Sequence, residues 1–380
     1  MESLFSPYQI SGYDTAPMIK NKQRLIVNSM AMIMFLVAYG NTESRVSGII
    51  DVTTRWTPED GPYIVNGDIM VAKKAKLVIA PGTKILISQP LYYDSAIQQI
   101  DHLDSQTVSI KIKGMLTCAG RKNKRIKISP IYKDDKKCSW YGIVFDNSYN
   151  ELTEIAYADI AGAFHGVVAI NSSPLLRNSV MEYNNVGISC REKGNMRVYN
   201  CIVASNFASG IRVGAANPEV YNTIVAFNRN YGVWGDNASA ITFEYNCAFG
   251  NPDGNFLDCN PRLGIVDGVN KNKDSVDFAH NLVMDPIFAG SASDSAAVEK
   301  DIAVPTDKSK LVDTTLAKAV GDTLVDSLAA GRRTGVYARY SLSSYSPCID
   351  AGKPGKAWKD DDGSRNDMGI YGGREFFDPR

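Results

Sequence analysis

Charge of one sign has no excess in this chain of 380 residues: 41 Lys and Arg stand against 41 Asp and Glu. Such a balance produces no global field to draw the protein onto nucleic acid or an anionic membrane, and neither is expected as a partner. Histidine is scarce, with His102, His165 and His280 showing no ligand spacing. The 7 cysteines contain no Cys-x-x-Cys pair, which excludes the common zinc and dithiol motifs. No metalloprotease, phosphate-loop or nucleophile-elbow motif occurs. Long stretches of helical period are few, so a helical bundle or a helical repeat is excluded. The longest apolar run, Leu25 to Ala38, is interrupted by Asn28 and Ser29 and is too short for a comfortable membrane span.

That run has another use. Lys20, Lys22 and Arg24 precede it, and Ala38-Tyr39-Gly40 follows with small residues at the two positions a signal peptidase inspects. Residues 1–40 therefore read as a secretory signal with an N-terminal extension, cleaved before Asn41, with an uncleaved anchor as the alternative and Met18 as a second possible start. The protein is expected to be secreted, in the periplasm or at the cell surface, with no membrane span after cleavage. An oxidising compartment would allow disulfides, and Cys118 with Cys138, or Cys247 with Cys259, are the pairs considered.

What the chain has in abundance is asparagine, glycine and short β-forming runs, and these repeat. Asn178, Asn200 and Asn222 lie 22 and 22 apart, Asn246 follows after 24, and Asn184, Asn206 and Asn228 keep the same two intervals. Gly142, Gly166, Gly187, Gly210 and Gly232 open successive units at spacings of 24, 21, 23 and 22. A leucine-rich repeat has this period but needs a leucine frame that is missing. Short alternating runs with turn residues between them, as in Gly210-Ile-Arg-Val and Thr223-Ile-Val-Ala, fit a parallel β-helix in which each coil is three strands. Like residues then stack about 4.8 Å apart. The file Asn178, Asn200, Asn222, Asn246 is expected to form a structural ladder that locks the register, since a slipped coil would strand buried amides at about 1–3 kcal/mol each.

With the repeat go several segments: "AKLVIAPGTKILI" (75–87), "IKGMLTCAGRKNKRIKISP" (112–130), "WYGIVF" (140–145), "MDPIF" (284–288) and "SPCIDAGKP…DDDGSRNDMGIYGG" (346–373). In these the chain resembles the right-handed parallel β-helix proteins of the pectate-lyase-like superfamily, specifically secreted bacterial members. The resemblance implies an all-β, single-domain right-handed β-helix over residues 56–288. It implies no activity, because this fold carries many. Residues 41–55 read as a linker, and 91–106 as a loop or short helix over the open end. Residues 251–288 read as irregular closing coils. Residues 289–340 read as an insertion whose Leu316, Val320, Leu324 and Leu328 mark a helix over 309–331, and 341–380 as a capping segment.

Ligands of the superfamily commonly lie along the strand face that begins at the repeated glycine. Alternation turns Ile143, Val167, Ile188, Ile211 and Val233 inward. It turns out the column Val144, Val168, Ser189, Arg212, Trp234 and, beside it, Asp146, Ile170, Arg191, Gly214, Asp236. Arg191, Arg212, Trp234 and Asp236 thus form the candidate substrate-binding group: Trp for a sugar ring, Arg for a carboxylate, as an acidic polysaccharide would require. The bland reading is a surface patch in which Arg212 pairs with Asp236. No catalytic set emerges. Asp146 and Asp236 are four coils apart, roughly 19 Å at the strand spacing, whereas a glycosidase needs two carboxylates about 5–9.5 Å apart. The acidic calcium cluster of pectate lyases is not seen, and Phe164-His165-Gly166 only echoes the Gly-His-Gly of polygalacturonases, with His165 read as a turn residue. Separately, Asp360, Asp362 and Asp367, with Asn366, put hard oxygens around Gly363 and make a candidate Ca²⁺ loop, the one cofactor considered, against an ordinary Asp-Gly turn. The sequence reading is thus non-catalytic polysaccharide recognition or a surface scaffold, with a polysaccharide lyase or glycoside hydrolase on the same face as the alternative.

Overall fold

Each repeat folds into three short strands, and the computed structural model stacks them coil upon coil into a parallel β-helix. It describes residues 43–88, 107–131, 138–148, 152–236, 240–289 and 339–375. The expected signal segment, the loop at 91–106 and the helix at 309–331 lie outside the described residues. Within each coil the chain passes through sheet B, then sheet C, then sheet A. Sheet B has 8 strands, Thr54–Trp56, Lys76–Ile79, Met115–Ala119, Glu154–Ala156, Leu175–Arg177, Arg197–Tyr199, Glu219–Tyr221 and Thr242–Glu244, each parallel to the next. Sheet C stacks Lys84–Ile87, Ile126–Pro130, Ala158–Ala161, Val180–Glu182, Ile202–Ala204, Ile224–Ala226 and Cys247–Phe249. Sheet A stacks Ser109–Ile112, Gly142–Asp146, His165–Ile170, Val186–Arg191, Ile211–Gly214, Tyr231–Trp234 and Gly254–Leu257. The long strand Tyr63–Val71 serves two sheets, its first half pairing with 85–87 and its second with 110–112. Among the described residues no helix is long and apolar enough to cross a membrane.

The expected linker is instead part of the fold. Ser44–Ile50 runs parallel to Tyr63–Val71, and Thr54–Trp56 pairs with Lys76–Ile79. Its apolar residues, Val46, Ile49 and Ile50, are too few to show a period by themselves; Val46 and Ile50 pack against the core.

The interior is a set of apolar files. In sheet A, Ile110, Ile143, Val167, Ile188, Ile211 and Val233 stand in register and are buried, as alternation requires. Sheet B contributes Cys118, Ile155, Leu176, Val198, Val220 and Phe243, and sheet C Ile128, Ile160, Met181, Val203, Val225 and Ala248. Burial of each larger side chain is worth about 1.5–3 kcal/mol. Neither pair considered from sequence, Cys118 with Cys138 or Cys247 with Cys259, is bonded: all seven cysteines are free thiols in this structure, and Cys118 is spent as a core residue.

Two asparagine files run along two corners, and they do different work. Between sheets C and A, the Nδ2 of Asn184, Asn206 and Asn228 each donates to the Oδ1 of the next, at 3.2, 2.8 and 3.0 Å, ending on Asn251. Each amide also donates to a carbonyl of the preceding coil and accepts a backbone N–H, so this buried ladder is satisfied internally. The glycine file follows from it. A Cβ on Gly187 would stand 2.9 Å from Asn206 Nδ2 and 2.7 Å from the Gly210 carbonyl, so a side chain there would collide with the ladder.

Between sheets B and C stand Asn178, Asn200 and Asn222, in single file and all in the left-handed region (φ 47, 51 and 53°). Each backbone N–H bonds to the coil beyond. Their side chains turn outward and hold the C-terminal segment. Asn178 Nδ2 donates to the Gly372 carbonyl (2.8 Å), Asn200 Nδ2 to Asn366 Oδ1 (2.7 Å) and the Asp367 carbonyl (2.9 Å), and Asn222 Oδ1 accepts from the Lys353 N–H (2.6 Å). Between members of the file itself, the contact from Asn222 Nδ2 to Asn200 Oδ1 is long at 3.5 Å. Asn246 does not belong to this file. The coil gains a residue there, so Tyr245 (φ 56°) takes the corner, and Asn246 accepts the Thr223 N–H from inside.

The C-terminal segment therefore lies along the flank of the solenoid, where a terminal cap was expected. Val180, Ile202, Ala204, Ile224, Ala226 and Cys247 on the outer side of sheet C are buried in a second apolar cluster with Leu282, Phe288, Tyr340, Cys348, Ala351, Met368 and Ile370. Glu182 ties its start, accepting Arg339 Nη2 at 2.6 Å and the Tyr340 hydroxyl at 2.8 Å. Trp358 stands edge-on to Tyr199 with ring centroids 5.2 Å apart, and Lys353 Nζ lies 3.4 Å over the Tyr221 ring.

Candidate functional site

The outer face of sheet A carries two side-chain columns, fixed by the register. One is Lys111, Val144, Val168, Ser189, Arg212, Trp234; the other is Asp146, Ile170, Arg191, Gly214. Asp236 follows one rung after Gly214, where its Oδ2 accepts the Ala215 N–H at 2.8 Å. The face is not open along its whole length. Val144 and Val168 point outward yet are fully buried, in a small cluster with Tyr141, and Ser189 is buried too. Around this closed patch Lys111, Asp146, Ile170, Arg191, Arg212, Trp234 and Asp236 are each half-buried, and the candidate group Arg191, Arg212, Trp234 and Asp236 lies together at one end of the face.

Arg212 is held from below: its guanidinium lies 4.7 Å over the Trp234 ring, and Trp234 leans on Tyr231 at 6.0 Å. The expected Arg212–Asp236 pair does not form, and Arg212 has no ion-pair partner among the described residues. On the neighbouring strand Arg191 folds back over the sheet. Its Nε donates to Ser189 Oγ at 2.9 Å and its Nη2 to His165 Nε2 at 2.9 Å. A guanidinium only donates, so Nε2 accepts and the ring proton is assigned to Nδ1.

His165 is no turn residue. It opens the strand His165–Ile170, is 1% exposed, and sits edge-on to Phe164 and Tyr141 at 4.7 and 5.6 Å. Burial first, then the Arg191 and Arg212 charges, holds its pKa well below the ordinary value, so it is neutral. Its Nδ1 has no hydrogen-bond partner. The sequence signal for this contact was weak, since Arg191 reaches His165 by lying along its strand and not across one rung.

Asp146 is ion-paired with Lys113 at 3.5 Å, and Asp236 caps a backbone N–H. No carboxylate pair of glycosidase geometry is assembled by these two.

The expected calcium loop spends its carboxylates on backbone. Asp360 accepts the N–H groups of Asp367 and Gly373, Asp362 those of Ser364 (backbone and Oγ), and Asp367 the Asp350 N–H at 2.7 Å. Asn366 is fixed between Asn200 and the Trp358 carbonyl. Among the described residues no group of three His, Cys, Asp or Glu is arranged to hold a metal. Burial also pushes the Asp360 carboxyl up to about 7. Asp360 and Asn366, the buried residues of the loop, seat the C-terminal segment, while Asp361 and Asp362 are exposed.

The family model for a right handed beta helix region matches residues 124–269. No curated protein matches. Among solved structures, the chain is similar to the periplasmic alginate epimerase AlgG, at 17% identity over 61% of this chain and 66% of that one, with a TM-score of 0.32. It is also similar to a point mutant of AlgG, at 14% identity over 55% and 62%, with a TM-score of 0.29. The chain thus spans under two thirds of either.

Proposed function

We propose that this protein is a non-catalytic receptor for an acidic polysaccharide, exported to the periplasm or cell surface and binding on the open end of sheet A. The observation that carries the reading is the stacked Arg212–Trp234 pair, one strand from Arg191. Two guanidiniums are held in place before any ligand arrives, one by an indole and one by a serine and a neutral histidine. A uronate carboxylate accepts two parallel N–H bonds from such a fork, and the exposed edges of Trp234 and Tyr231 offer apolar surface to the sugar ring. Chemistry is disfavoured at the same place. His165, a candidate base on this face, is buried beneath Arg191, and among the described residues the two outward carboxylates of the face, Asp146 and Asp236, stand four coils apart.

A panel of uronate-containing polysaccharides tests this. Wild type should bind at least one member, Arg212→Ala and Trp234→Ala should each weaken binding at least about tenfold, and neither unsaturated nor reducing ends should be released. Release of product would make the protein a lyase or hydrolase acting on this face. Absence of binding across the panel would leave a scaffold and sink the proposal.

A further inference from the structure

Cys247 and Cys348 are 101 positions apart in the chain and meet in the second apolar cluster. Cys247 opens the last strand of sheet C, in register with Ile224, and faces outward under the C-terminal segment. Cys348 is on that segment, at the motif Ser346-Pro-Cys-Ile-Asp-Ala-Gly. Its position is tightly determined: its N–H donates to Ser346 Oγ, its carbonyl accepts the Met368 N–H, and Ser346 Oγ itself bonds to the Pro286 carbonyl. Cys247 Sγ reaches the Met284 carbonyl at 3.2 Å, and the neighbouring Cys348 thiol, ahead of burial, pushes the Cys247 thiol well above its ordinary pKa. Both are fully buried. Cys259, the partner considered from sequence, instead turns its thiol to the Leu257 and Val233 carbonyls.

We infer that Cys247 and Cys348 are a disulfide site, closed by thiol–disulfide exchange as the C-terminal segment docks, and that the bond staples this segment to the last coil of sheet C. The oxidant is a small or protein disulfide. One thiolate attacks it and releases a thiol, and the second cysteine then displaces the other half from the mixed disulfide. Two protein thiols lose two electrons and two protons, and the oxidant leaves as two thiols. Closure has to accompany docking, because both sulfurs are inaccessible once the segment is seated. The consequence is mechanical. The segment is otherwise held by noncovalent contacts, among them the bonds to Asn178, Asn200, Asn222 and Glu182 and the apolar cluster, all of which can open one at a time; a covalent link prevents full release and removes entropy from the unfolded chain.

The test refolds full-length reduced protein with oxidised glutathione, or with reduced glutathione alone, then digests without reduction for peptide mapping. A peptide joining Cys247 to Cys348 is expected in the first sample, and the oxidised protein should melt at least about 5 °C above its reduced form. Cys348→Ser should lose the cross-linked peptide and melt alike under both conditions, which separates the staple from a general effect of oxidant. Folded protein with both thiols free after oxidative refolding, or Cys247 linked to Cys259, would overturn the assignment. So would a cross-link that leaves melting unchanged.

Discussion

Asparagine does two jobs in this chain, and single substitutions separate them. Asn206 lies inside the ladder, where it accepts from the Asn184 backbone and side chain and donates to Met181 and Asn228. Asn206→Ala leaves at least a buried N–H and a buried carbonyl unpaired, so a loss of about 3 kcal/mol is expected from denaturant midpoints. Asn200→Ala removes bonds to the C-terminal segment and the long contact from Asn222 but leaves the backbone bonds between coils in place, so its cost should be nearer about 1 kcal/mol. Equal losses would mean that the inner ladder carries no special weight. The sequence showed both series and their period, but not which faced in. The left-handed corner rewards Asn, which explains Asn178, Asn200 and Asn222. The other corner puts Tyr183, Ser205 and Phe227 in that same backbone region and the asparagine one place later, so no local preference marks the ladder. Asn246 misled for a related reason: the lengthened coil puts the corner at Tyr245, and Asn246 falls one place beyond it, which its spacing from Asn222 does not reveal. His165 was legible as a residue on the right coil and illegible as a partner of Arg191, since the long arginine side chain can lie along a strand as easily as across it.

At the scale of elements, the C-terminal segment is where sequence reading and structure part most. The motif was recognisable, yet its carboxylates looked like metal ligands because clustered oxygens are common to calcium loops and to buried Asx turns. What distinguishes them is where the backbone N–H groups go, and that depends on the solenoid beneath. The buried turn has a pH consequence. Asp360 is raised from its ordinary value near 3.8 to about 7, by burial first and by Asp367 and Asp362 in addition, against the N–H groups of Gly373 and Asp367. A carboxyl raised in the folded state binds its proton more tightly there than when unfolded. Its contribution to stability is therefore full below its unfolded value and is lost as pH rises through about 7. Melting wild type and Asp360→Asn from about pH 5.5 to about pH 8 should show wild type losing ground to the variant as pH rises. A constant gap would mean that Asp360 does not titrate in that window.

A solenoid is close to one-dimensional: each coil touches its neighbours, and coils can unfold in groups. This molecule departs from that limit because the C-terminal segment runs across the coils. It is bonded to Lys122 through Glu375 and Asp361, to Arg177 through the Glu375 carbonyl, to the corner asparagines at 178, 200 and 222, and to Asn272 through the Ile349 carbonyl. One strip thus spans coils that otherwise communicate by nearest-neighbour stacking, while the coils before it, built on Thr54–Trp56, Tyr63–Val71 and Lys84–Ile87, carry no such brace in the bonds just named. Detaching the strip should uncouple the two parts. Asn200→Ala with Asn366→Ala removes the central attachment, including the Asn366 bond to the Trp358 carbonyl. Hydrogen exchange should then show amides in strands from Leu175–Arg177 to Cys247–Phe249 losing protection while those of Tyr63–Val71 and Lys84–Ile87 keep theirs, and the denaturant slope should fall as the single transition broadens. If protection falls uniformly along the solenoid, the coils are already one cooperative unit without the strip, and its role is confined to covering the apolar flank of sheet C.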